Sequence, residues 1–335
     1  MSPGLRRAWR TAAALPLTLL VLLYLARVGE PAYYGPGALA QAAAAIAVVA
    51  PVCAALGALE GARLRQANVH FLAPVRREVA IALRSLVPIL AAGLVAVAVG
   101  AARMAAGAQS LAVDDLVVLA VPIAVLAAHT SLGYALGRHL TAVFSVPLAL
   151  LASWLWLVYP VALEPLWVRH LTGYPQACCD VSTVPAPGAI AAPVVLATAA
   201  VLAAAALLTH ARPAVRGVAA AALAAAGFAA AIPLVDDLGA EPTTARSEHE
   251  LRCRGEAPRV CLWPEHEDVA ELVASEASAM QAELAAIGVE TPGTVSEAAA
   301  ADGRAWFVGV HPTLDRESVR LTLLQGLLPT VPSCA

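Results

Sequence analysis

Lysine is absent from this 335-residue chain: all 21 basic residues are arginine. A phosphate-binding P-loop needs a lysine to reach the phosphates, and a pyridoxal enzyme needs one for its Schiff base, so the chain is neither. Charge of any kind is scarce too. Charged residues make up 13% of the chain and hydrophobic ones 60%, with a mean hydropathy of +0.74, which excludes an ordinary soluble domain. The catalytic motifs that apolar chains sometimes hide are also missing. There is no H-E-x-x-H and no G-x-S-x-G, and His249, His266 and His311 have no metal-ligand spacing with the carboxylates around them. The reading is therefore not an enzyme, with no cofactor, no metal and no nucleic-acid partner.

What is there is a succession of uncharged runs. They lie between Arg10 and Arg27, Glu30 and Glu60, Arg84 and Arg103, Asp115 and Arg138, His139 and Glu164, Asp180 and Arg212, and Arg216 and Asp236. Roughly 20 apolar residues cross the hydrocarbon core, so these runs predict seven membrane helices. The first is the shortest. Arg10 and Arg27 can snorkel to extend it, and a cleaved signal peptide is the rival reading. With the N-terminus inside, eleven arginines fall on the cytoplasmic side and only Arg27, Arg103 and Arg169 outside, so the positive-inside rule favours that orientation. Seven spans then put the C-terminal part outside.

The two parts differ in charge. Residues 1–235 carry 14 Arg against 7 acids, whereas from Asp236 onward there are 17 acids against 7 Arg. The expectation is an α-helical polytopic membrane domain at 1–236 and a small extracytoplasmic α/β domain at 237–335. In the latter, Pro264 to Ile287 reads as an amphipathic helix with Val269, Leu272, Val273, Met280, Leu284 and Ile287 on one face. "RAWFVGV" from Arg304 to Val310 reads as a strand, and Asp315 to Leu328 as a second helix. Five cysteines share the external side. Cys253 and Cys261 flank a turn-rich "RGEAPRV", and a disulfide across a hairpin is expected, with a metal or redox pair as the alternative. Cys178 and Cys179 are adjacent, and a vicinal bridge closes a strained eight-membered ring. One of them is therefore expected to pair with Cys334, pinning the tail to the loop before the sixth run.

Within the spans, His129, Thr130 and Ser131 form a polar cluster at mid-membrane depth. It is read first as a neutral imidazole bonded to a neighbouring helix, with a proton relay or substrate path as the alternative. Each run also contains a proline: Pro16, Pro51, Pro88, Pro122, Pro147, Pro193 and Pro233. Ordinary tolerance of proline in membrane helices accounts for them, and gate-like kinks are the alternative.

The longest cytoplasmic loop, "EGARLRQANVHFLAPVRREVAIALR" from Glu60 to Arg84, places Arg63, Arg65, Phe71, Arg76 and Arg77 among apolar residues, a pattern suited to lipid or to a partner protein. The Ala-rich second run, this Arg-rich stretch and "APVRREVAIAL" resemble ABC-2-type permease-like proteins of high-GC Gram-positive bacteria. "WVRHLTGYPQACCD" and "VCLWPEHED" resemble outer segments of uncharacterised members of that group. The resemblance implies a permease-like subunit whose loop couples to a separate cytoplasmic ATPase; a homo- or heterodimer is left open. Typical members have six spans and a cytoplasmic C-terminus, unlike the seven expected here. The alternative is a membrane-anchored sensor or scaffold binding a peptide, lipid or cell-wall component.

Overall fold

A backbone surrounded by hydrocarbon must satisfy its own N–H and C=O groups, and the apolar runs do so as helices. The computed structural model describes residues 14–28, 34–68, 78–174, 178–298, 305–311 and 315–327. The helical unit contains α1 (Ala14–Val28), α2 (Gly35–Ala43), α3 (Ile46–Gln66), α4 (Glu78–Ala105), α5 (Ala120–His139), α6 (Ala142–Val158), α7 (Pro187–Leu207) and α8 (Pro213–Ala231). Among the described residues, six helical stretches are long and apolar enough to cross a membrane, and they coincide with the second to seventh runs. The second stretch, Gly35–Gln66, combines α2 and α3 across a turn at Ala44–Ala45. The first run differs. Its helix α1 has 15 residues, about 22 Å at 1.5 Å per residue, short of the roughly 30 Å of hydrocarbon.

Helices α3 and α5 form the most intimate pair in the unit, and glycine is the reason. A Cβ added at Gly57 or Gly61 would collide with the backbone carbonyls of Thr130 or Tyr134, and one added at Gly133 or Gly137 with those of Ala54 or Ala58. Two G-x-x-x-G motifs thus lie face to face, each helix backbone seated on the glycines of the other. In lipid, where burying apolar surface gives no driving force between helices, such close approach supplies the dispersion that holds them. Around this pair a core of Leu39, Ile46, Val49, Leu126 and Leu157 closes, each almost fully buried. The cytoplasm-facing ends expected from the arginine count carry an ion pair, Arg138 to Glu78 at 3.1 Å, that ties α5 to the first turn of α4.

The prolines fall in different settings. Pro51, Pro88, Pro147 and Pro193 lie inside helices. Pro122 sits in the first turn of α5 and Pro233 in the 3-10 turn after α8, where a missing N–H costs little.

Two short strands, β1 (Thr183–Pro185) and β2 (Thr243–Ala245), pair where the chain passes from one compact unit to the other. The second unit comprises Asp180–Thr183 and Ala245–Ala335, so residues 237–244 group with the helices and not with the tail. Its four-stranded sheet runs β3 (Arg252–Arg254), β4 (Arg259–Leu262), β5 (Thr294–Ser296) and β6 (Trp306–Phe307), in that spatial order. Strands β3 and β4 form an antiparallel hairpin, whereas β4, β5 and β6 are parallel. The crossover from β4 to β5 is α9 (Ala270–Ala286), and α10 (Arg316–Gly326) follows β6.

The tail is thus the expected α/β unit, with differences in detail. The segment Pro264–Val269 is a 3-10 turn and only Ala270–Ala286 is α-helical. On α9, Val273, Ala277 and Met280 enter the core with Val260, Leu262, Val295, Trp306 and Leu323. Ile287 lies past the helix and is 74% exposed, so it does not belong to the apolar face. The strand expected over Arg304–Val310 pairs only at Trp306–Phe307, and Asp315 caps α10 by accepting from the Ser318 N–H at 2.9 Å.

Candidate functional site

The polar cluster on α5 divides between two faces. Thr130 is buried toward α3, its hydroxyl donating to the Leu126 carbonyl at 2.6 Å, and Ser131 is half-buried. His129 points the other way. Its Nδ1 lies 2.6 Å from the hydroxyl of Ser153 on α6, a bond that links neighbouring helices as the imidazole reading expected. Both residues of this pair line a cavity of about 540 Å³, within the range of sites for small molecules.

The cavity exists because α6 leaves α7 and α8 unpacked. Helix α5 packs on both α6 and α7, and α7 packs on α8, but α6 meets α8 mainly through one aromatic contact. That contact is Trp156 against Phe228, edge to face with centroids 6.0 Å apart. Small side chains keep the walls apart: Ala149 and Ala152 on α6, Ala197, Ala200 and Ala203 on α7. Pro193 on α7 also lines the space. The lining is almost wholly apolar, and its hydrogen-bonding side chains are His129, His139, Ser153, Trp156 and Thr172. Such a space accepts an apolar body and offers it one polar anchor near mid-membrane. Ser153, Trp156 and Phe228 carried no weight in the sequence reading; the one signal that marked Ser153 was a hydroxyl alone in the apolar run "LALLASWLWLV".

At one end of the cavity stands His139, the last residue of α5. Arg65, singled out in the loop after the second run, donates from Nη1 to the His139 carbonyl at 3.0 Å, whereas Arg63 lies 4.0 Å from Glu60 on its own helix. Arg216 on α8 donates to the carbonyls of Leu207 and Thr209, and Leu207 is a cavity residue. Phe71, Arg76 and Arg77 lie outside the described residues. Away from the cavity, His170 is buried and donates from Nε2 to the Gly239 carbonyl at 2.8 Å; its burial pushes the imidazole pKa down.

In the tail, Cys253 and Cys261 face each other directly across β3 and β4 and are bonded, with Cα atoms 4.0 Å apart. The hairpin disulfide is as expected. The other pairing is not: Cys178 bonds Cys179, its neighbour, leaving neither for Cys334, which lies outside the described residues. Adjacent thiols need no closure of a long loop, and the ring strain weighed against them did not decide the pairing. Cys53 is free and buried in α3.

The carboxyl ends of the parallel strands carry a buried polar network. His266 after β4 holds Glu297 after β5 at 2.6 Å, and the other oxygen of Glu297 accepts from the Trp263 N–H at 2.8 Å. Beside them Arg246 donates to Glu265 at 2.9 Å and to Glu250 at 2.7 Å, its guanidinium lying 4.7 Å over the Trp263 ring. Arg252 and Arg254 of β3 both bond Glu267, and this holds its carboxyl below the usual range, Arg252 most strongly. No group of three potential metal ligands occurs among the described residues.

Residues 260–335 match a family described as Domain of unknown function (DUF7224), which begins within β4 and covers most of the sheet unit. No curated protein and no solved structure matches the chain.

Proposed function

We propose that this chain is a permease-like membrane subunit of an ABC-type transporter, which accommodates its substrate in the cavity between α5, α6, α7 and α8 and depends on a separate cytoplasmic ATPase. The observation that carries the reading is that cavity: about 540 Å³ of apolar space at membrane depth with the His129–Ser153 pair inside it. A scaffold has no use for an unfilled space within its span, since unfilled volume in a packed core is destabilising. The arginine distribution supports seven spans with the N-terminus inside and the sheet unit outside, α1 serving as the first span with its flanking arginines at the interfaces. Energy would then have to come from a cytoplasmic partner, because a chain without lysine has no P-loop.

A second reading, an extracytoplasmic sensor or scaffold, is favoured by the His266–Glu297 pair. It lies at the carboxyl ends of parallel strands, where α/β sheets place their ligands. Purification of the whole chain in mild detergent, followed by mass spectrometry of co-purifying proteins, separates the two. A stoichiometric ATPase supports the permease; its absence, with a peptide or wall fragment retained on the sheet unit, favours the sensor. Reporter fusions at Thr243 test the topology: activity of a cytoplasmic reporter there removes the seven-span arrangement.

A further inference from the structure

Two cations at one end of the cavity have, among the described residues, protein partners for only part of their hydrogen-bonding capacity. Arg65 engages the His139 carbonyl through Nη1 alone, and Arg216 engages Leu207 and Thr209 through Nη1 alone. A guanidinium has five donors, so among the described residues each keeps Nε and Nη2 without a protein acceptor, and neither forms an ion pair there. Both sit on carbonyls of residues that line the cavity, His139 and Leu207. By contrast Arg138, one residue before His139, is matched by Glu78. The cavity therefore has an apolar body, and at one end two guanidiniums bond the backbone of its lining residues from just outside it.

Its length fits a chain-bearing molecule. On α5 it runs from Val125 to His139, about 21 Å at 1.5 Å per residue, most of the hydrocarbon thickness. Trp156 and Phe228 meet edge to face within its lining, the latter on α8, most of whose residues are exposed. A ligand could enter sideways from the bilayer by separating those two rings, without crossing an aqueous vestibule.

We infer that the α5–α8 cavity binds one anionic phospholipid-type amphiphile, its acyl chain along the Ala-lined walls and its phosphate bridging Arg65 and Arg216. The phosphate would take the fork donors that the two guanidiniums leave free, the bidentate geometry that arginine favours. The inference rests on the permease reading for its meaning as substrate, but the binding itself is testable alone.

The full-length protein in mild detergent is titrated with dioleoyl phosphatidylglycerol or dioleoyl phosphatidylcholine and followed by native mass spectrometry. The expected result is one retained phosphatidylglycerol in preference to phosphatidylcholine. The double variant Arg65→Gln, Arg216→Gln should weaken phosphatidylglycerol binding by about 30-fold, the effect of two near-surface arginines, while leaving phosphatidylcholine unchanged. Ala200→Phe and, on the opposite wall, Ala152→Phe should each reduce the binding of both lipids at unchanged thermal stability. Water-soluble glycerophosphoglycerol should not compete. Equal retention of the two lipids overturns the inference. So does a phosphatidylglycerol preference that survives both cavity-filling variants, which marks attraction to the basic surface only, or full competition by glycerophosphoglycerol, which marks a phosphate site without a chain. Lipid binding lost while an ATPase still co-purifies refutes this inference alone; lipid retained without an ATPase refutes only the permease.

Discussion

Substituting Gly133 by alanine adds one methyl group at the point where α5 touches α3. That methyl meets the Ala54 carbonyl oxygen, its carbonyl carbon at 2.8 Å and its Cα at 3.0 Å. All three atoms are backbone, so no side chain can swing aside; the helices must separate or slide. Overpacking of this sort costs about 1–3 kcal/mol. Gly137→Ala meets Ala58 and the Ala62 N in the same way and should cost a similar amount. Once the first substitution has moved the helices apart the second has less to displace, so the double variant should fall short of the sum. Gly217 in α8 is the control, with nothing within 4 Å of its added Cβ. There the helix gains propensity, and alanine should be neutral or stabilise by up to about 1 kcal/mol. The assay is reversible unfolding of the purified protein by SDS in mixed micelles, followed by helical circular dichroism. Equal midpoints for Gly133→Ala, Gly137→Ala and Gly217→Ala would refute the interlocked packing.

Replacing Cys253 and Cys261 by serine opens a loop with a sequence separation of 8, and chain entropy puts the loss at about 2.5 kcal/mol; thermal unfolding of the sheet unit with and without reductant checks it. Arg246→Met removes the guanidinium from Glu265, whose side chain is 1% exposed, and should destabilise by about 3–5 kcal/mol, with Glu265→Leu in the same chain restoring part of the loss; urea midpoints decide between rescue and addition. Because Arg252 and Arg254 hold the Glu267 pKa below its unfolded value, that carboxylate's contribution is present above the unfolded pKa and lost as pH falls through the folded one. Glu267→Gln should therefore flatten the acid limb of the stability curve by lowering stability slightly at neutral pH while leaving it unchanged below the folded pKa. A non-reducing digest should show Cys178 and Cys179 bridged within one peptide; a fragment joining either to Cys334 contradicts the vicinal pair.

The helices were legible because hydrocarbon imposes its rule locally: an uncharged run of sufficient length has few alternatives to a helix, and runs two to seven all became spanning-length helices. The hairpin disulfide was legible for a related reason, its turn lying between its two cysteines. What escaped depends on pairing between distant segments. Gly57, Gly61, Gly133 and Gly137 stand in two plain G-x-x-x-G motifs, but neither motif reveals that the other is its partner. Nor does His129 reveal that Ser153 will face it. The overlong amphipathic helix in the tail has a different cause. Pro264 can begin a helix, but the following turn stays 3-10 while His266 reaches out to Glu297, a tertiary bond that periodicity does not register.

The sheet unit takes in four residues, Asp180–Thr183, from a loop between two membrane helices. Arg246 depends on them twice: its N–H donates to the Ser182 carbonyl at 2.8 Å and its Nη1 to the Val181 carbonyl at 3.2 Å. A gene cut at residue 245 would therefore deliver a fragment missing one acceptor for the cation that neutralises Glu265 and one for the Arg246 backbone N–H. The sheet unit is thus encoded in two pieces about sixty residues apart, and grafting it onto another membrane anchor requires that interhelical loop, or replacement carbonyls in the same place.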